Sequence, residues 1–115
     1  MNIKDRLKDL RATVSLIESL ENMIKRDKEE FKEFPRLLEE LEHSEVLQQI
    51  AELKQEQKNT MDLINNLDNE LQRKVLIERY LYKRKWDDIA EQLHYSRQSL
   101  HGIHNKAIEQ LIKQN

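Results

Sequence analysis

The side chains with the most chemistry to offer lie between residues 84 and 106. Arg97, Gln98, His101 and Asn105 fall away from an apolar series, Leu100, Ile103, Ala107 and Leu111, whose spacing of 3, 4 and 4 marks the buried face of a helix. Arg and Gln at the start of an exposed helix are the side chains that read guanine and adenine in a DNA major groove. Ser96 precedes them with a hydroxyl suited to cap that helix. The expected roles are therefore base contact for Arg97, Gln98 and His101. Ser96, Ser99, Asn105 and Lys106 are expected to hold or approach the backbone, and Arg84 and Lys85 to meet phosphates. Covalent or acid–base catalysis is not indicated, and no enzymatic activity is expected. One glycine leaves no phosphate-cradling loop, and the absence of cysteine leaves no thiolate ligand or disulfide. His101 and His104 share a spacing of three but have no third ligand nearby, so neither metal nor cofactor is expected.

These side chains need a rigid mount. Ile89, Ala90 and Leu93 predict a short helix over about 86–93, with Asp87 and Asp88 favourably placed in its first turn. His94-Tyr95-Ser96 is the turn, and Ala90 is small where two helices would cross. Leu71, Val75, Leu76, Tyr80 and Leu81 predict a preceding helix over about 69–82, capped by Asn69 with Gln72, which packs on the pair. The pattern is a helix-turn-helix; a plain helical hairpin in a bundle shares its periodicity. Trp86 and Tyr95 are expected to pack in the core, and the triplet Lys83-Arg84-Lys85 is either a solvated turn or a phosphate contact.

Residues 71–111 resemble region 4 of bacterial sigma factors. The matching pieces are 71–80, Ile89-Ala90, Leu93, Ser96, Leu100, Ile103, Ala107 and Leu111. Arg79-Tyr80-Leu81, 86–90, Tyr95-Ser96 and 104–107 also resemble small regulator-like proteins of phages and prophages of Gram-positive bacteria, akin to the RinA/ArpU late-gene activators. The resemblance implies a coiled N-terminal part followed by a DNA-binding sigma-like head. This chain departs from the sigma pattern at Lys85, where a Ser or Thr cap is usual, at His94 in place of the turn glycine, and at Gly102, a base-reading position here without a side chain.

The rest of the chain is expected to serve that head. With 115 residues, 37% of them charged, 5% aromatic, one Gly and one Pro, the composition predicts an all-α protein with long helices and few loops. Ile3, Leu7, Leu10, Val14, Ile17, Ile24 and Phe31 predict a first helix capped by Asn2 and running to about Glu33, before Pro35. Residues 36–43 are either helix or loop. Ser44 is the expected cap of a second long helix carrying Val46, Leu47, Ile50, Leu53, Met61, Ile64 and Leu67, with a thin apolar face over 54–60. Residues 1–66 thus form a helical hairpin or coiled-coil part and residues 67–115 the head. The first part is expected to oligomerise, most simply as a dimer, because a lean chain gains core that way.

Charge divides along the same line. Residues 1–72 carry a net −6 and residues 73–115 a net +4, an acidic scaffold joined to a basic module. No signal-like or membrane-length apolar run is present, and a cytoplasmic location without membrane contact is expected. The expected function is that of a sequence-specific transcription regulator of phage or prophage type, with double-stranded DNA as partner. The alternatives are a recognition subunit for DNA packaging, of small-terminase type, and an interaction module that binds RNA polymerase. Both histidines line the DNA side, or His104 packs at the motif's edge; protonation of His101, and of His104 in the first case, is expected to raise DNA affinity as pH falls.

Overall fold

The computed structural model describes residues 2–41 and 43–114, and every regular element among them is helical. Helix α1 (Ile3–Glu30) runs 28 residues and α3 (Ser44–Asn65) returns along it, with the short α2 (Pro35–Leu41) at the bend. Helix α4 (Glu70–Leu76) widens directly into a π-helical turn, Ile77–Leu81. Helices α5 (Trp86–Leu93) and α6 (Arg97–Gln114) complete the chain.

The helix starts follow from their caps. The Asn2 side chain accepts from the Lys4 N–H at 2.8 Å, and the Asn69 side chain accepts from the Gln72 N–H at 3.0 Å. Each satisfies one donor that a helix start leaves open. Pro35 stands at the first position of α2, where its missing N–H costs nothing. Of residues 36–43, open between helix and loop in the sequence, 36–41 are helical, His43 is the cap position of the next helix, and residue 42 lies outside the described residues. Two expected boundaries move. α1 ends at Glu30 rather than near Glu33, because the Phe34 N–H turns back onto the Phe31 carbonyl before the proline. Ser44 begins α3 instead of capping it; the cap position is His43, whose ring lies 3.0 Å from the Asp27 carboxylate and ties the bend to α1.

Three apolar clusters hold the elements. Ile17, Ile24 and Ile50 join the far halves of α1 and α3. Ile3, Leu7 and Leu10 of α1 meet Ile64, Leu67, Leu76, Ala107, Ile108 and Leu111. Val75, Ile89 and Leu100 form the third cluster, with Trp86, Ala90, Leu93 and Ile103 against it. Between the first two clusters a cleft of about 300 Å³ lies along α1 and α3, lined by Leu10, Thr13, Thr60 and polar and charged side chains. Its α3 side, Glu56, Gln57, Asn59 and Thr60, belongs to the polar run 54–60.

The second cluster draws on both sides of residue 66, the boundary expected between scaffold and head. The apolar stripe of α1 is accordingly buried within the chain, against α3 and α6, rather than held out for a second copy. Residues 67–115 expressed alone would expose Leu76, Ala107, Ile108 and Leu111. Loss of helical circular dichroism and binding of a hydrophobic dye are the expected results for that fragment, against full helicity for the whole chain. In the whole chain, Leu76→Ala should cost about 2–5 kcal/mol in a urea titration, since the side chain it truncates is completely buried.

Candidate nucleic-acid interface

The α5–α6 pair is built around a left-handed residue. His94 has φ 61° and ψ 40°, a conformation that non-glycine residues other than Asn, Asp and His seldom adopt. It ends α5, and the next N–H, that of Tyr95, bonds back to the Ala90 carbonyl at 3.1 Å. The chain then starts α6 with a cap at Ser96, whose hydroxyl accepts from the Ser99 N–H at 3.1 Å. Lys85 precedes α5 in extended geometry with no side-chain cap, in agreement with its unsuitability for that role. Tyr95 is exposed, contrary to the expected core packing: the left-handed turn directs it outward, beside Asn69, Glu70, Leu71 and Lys74.

Trp86 does pack inward and joins three elements. The guanidinium of Arg79, from the π turn, lies 4.8 Å from its ring centre, a cation–π contact. His101 of α6 lies against it at 4.7 Å between ring centres, and His104 meets it edge-on at 5.1 Å. The Tyr80 hydroxyl is 2.7 Å from His104 Nε2. Burial lowers the pKa of His104; a side-chain hydrogen bond with Asn105 opposes this, and the neighbouring His101, Arg79 and Lys4 add to the lowering. Burial likewise raises the Tyr80 phenol. His104 is thus a packing residue, and of the two histidines only His101 is exposed.

The remaining candidates divide by what already holds them. Gln98, Ser99, Asn105 and Lys106 are exposed on the outer side of α6. Arg97 is exposed at the edge facing α5, where its Nε sits 3.4 Å from the Asp87 carboxylate. Both partners are largely in water, so this pair contributes little and can open. Arg84 is held more firmly. Its Nε lies 2.9 Å from the mostly buried Glu78 carboxylate, its guanidinium reaches the Gln92 side chain, and its carbonyl accepts from Arg79. Lys83, left-handed at φ 56°, bonds Ser15 and Glu18 of α1 at 3.1 and 3.2 Å. Two members of the basic triplet therefore brace the head, and Lys85 is exposed next to them. The sequence carried no signal for the Glu78 partner, because the π turn alters which side chains face α5.

Among the described residues no group of three His, Asp or Glu is placed to hold a metal ion, and no helix is long and apolar enough to cross a membrane. A family described as protein of unknown function, DUF1492, matches residues 37–112. The chain belongs to the DUF1492 family. The match spans the α5–α6 pair, the elements beneath it and α3. No curated protein and no solved structure matches the chain.

Acid should loosen this DUF1492 head through His104. Its pKa is depressed in the folded chain, whereas the unfolded value is about 6.5. The unfolded state then binds the proton more readily, and stability rises with pH across the interval between the two values. The contribution of neutral His104 is complete above about pH 6.5 and is lost as pH falls through the folded pKa. Urea midpoints measured between pH 7.5 and 5 should fall, and His104→Gln should flatten part of that fall. An unchanged pH profile in the variant would place the acid sensitivity elsewhere.

Proposed function

We propose that this protein is a sequence-specific DNA-binding transcription regulator of phage or prophage type, with α6 as the helix that enters the major groove. The observation that carries the reading is the outer face of α6. It presents Gln98, Ser99, Asn105 and Lys106, with Arg97 and His101 at its edge, while the opposite face is locked into two cores. The capped turn at 94–96 and the resemblance of residues 71–111 to sigma region 4 support the same role. The overall net charge is −2, so phosphate attraction has to come from local groups, Lys85 and Lys106 among them.

The test compares two substitutions on a duplex selected by the wild-type protein from a randomised pool, and on a scrambled duplex, at several salt concentrations. Arg97→Ala should weaken the selected duplex by about 1–3 kcal/mol and the scrambled one much less, as expected for a lost guanine contact. Lys85→Ala should weaken both alike and lower the salt slope by about 1. Arg84, which the sequence pairs with Lys85 as a phosphate contact, is instead expected to act on stability through Glu78. Equal losses on both duplexes for Arg97→Ala and Lys85→Ala would remove the base-reading role. A protein that retains no duplex at low salt but binds RNA polymerase would favour the interaction-module reading.

A dimer belongs to the same proposal, since helix-turn-helix proteins commonly read paired half-sites. With the α1 stripe buried within the chain, an apolar surface open to a second copy is the far end of the hairpin, where Phe34, Leu37, Leu41 and Leu47 are exposed together and α2 buries no residue. A helix of that length is not stable unsupported. Sedimentation equilibrium at tens of micromolar should give a dimer for the wild type and a monomer for Phe34→Ser, Leu37→Ser. A ring of many copies would favour the packaging-subunit reading.

A further inference from the structure

Gly102 is the single glycine of the chain, and it stands inside α6. Glycine is the poorest helix former after proline, so its place in the middle of a helix calls for a reason. The fold does not supply one. No glycine here has positive φ, so no left-handed backbone requires it. A Cβ built at Gly102 would meet nothing within 4 Å, so no neighbouring element needs the space. The residue is exposed.

Its position is specific. Gln98 and Ser99 stand one turn before it, and Asn105 and Lys106 one turn after, the four neighbours that a helix places around one surface spot. Leu100, Ile103 and Ala107 lie on the other side. The helix surface thus has a gap at its outermost point, ringed by polar side chains that can donate and accept.

We propose that Gly102 is the contact position at which the α6 backbone comes up against the major groove of duplex DNA. The missing side chain lets the helix sit closer than alanine would allow, and brings Gln98 and Asn105 within reach of the base edges on either side. The proposal rests on the reading of α6 as the groove-entering helix. It turns the apparent loss of a base-reading side chain into a depth setting for the whole helix: a methyl group at this point would hold every neighbouring contact away.

The experiment uses the full chain and a duplex selected by the wild type from a randomised pool. Gly102→Ala should raise the thermal midpoint, because a better helix former enters open space, and yet weaken binding at least tenfold. Gly102→Gln should weaken it further, although it adds hydrogen-bonding groups. Gln110→Ala, at an exposed α6 position away from the ring, should leave binding unchanged. The higher midpoint excludes misfolding as the cause of the lost affinity. Gly102→Ala binding as tightly as wild type, while Gln98→Ala and Asn105→Ala bind more weakly, would overturn the inference and leave the DNA reading intact. A lowered midpoint for Gly102→Ala would also overturn it, since the glycine would then serve the fold. Failure of the wild type to retain any duplex would remove both.

Discussion

Helix α6 is buried along one face by two separate cores, and the rest of the molecule depends on that double attachment. Its first turns fix on Ile89 and Val75 through Leu100, and its last turns on Leu7, Leu10 and Leu76 through Ala107, Ile108 and Leu111. A helix gripped at one end only could pivot. Gripped at both ends, with α5 on one core and α1 on the other, it has one orientation, and its outer side chains inherit that order. Completely buried aliphatic side chains make such positions costly to vacate. The same arrangement explains why the long hairpin is more than a spacer: α1 supplies Ile3, Leu7 and Leu10 to the second core.

Charged side chains add direction to this apolar frame. Lys83 reaches α1 at Glu18, and Arg84 closes on Glu78 and Gln92. These contacts secure the connection between the π turn and α5, which carries a second left-handed residue at Lys83. Arg79 stacks on Trp86 from the same turn. The head thus uses several of its cations internally. Its net positive charge overstates what is available to an external anion, and the available cations are those at the margins of α6 and before α5.

The aromatic junction of Trp86, His101, His104 and Tyr80 lies where these two systems meet. It places an exposed histidine and a half-buried one a single turn apart on α6. Their sequence spacing is compatible with one shared face or with a packed His104. Burial separates them, because position 104 turns toward Tyr80 and the α1 end of the head while position 101 stays at the solvent edge of Trp86.

Much of this was determined by local chemistry and periodicity, and those features survive in the fold. The all-α class, the bounds of α5, the caps at Asn2, Asn69 and Ser96, the left-handed tolerance of His94 and the stripe on α6 each depend on neighbours within one or two turns, and such neighbours are written in order along the chain. What tertiary structure decided lies between distant residues. The burial of the α1 stripe against α6, the engagement of Arg84 by Glu78 and Lys83 by Glu18, the inward turn of His104 and the outward turn of Tyr95 all required knowing which faces meet. The π turn over 77–81 departs from the α-helical repeat on which periodicity relies. Periodicity gives each helix a buried side but does not say what will bury it; that choice belongs to the packing of the whole chain.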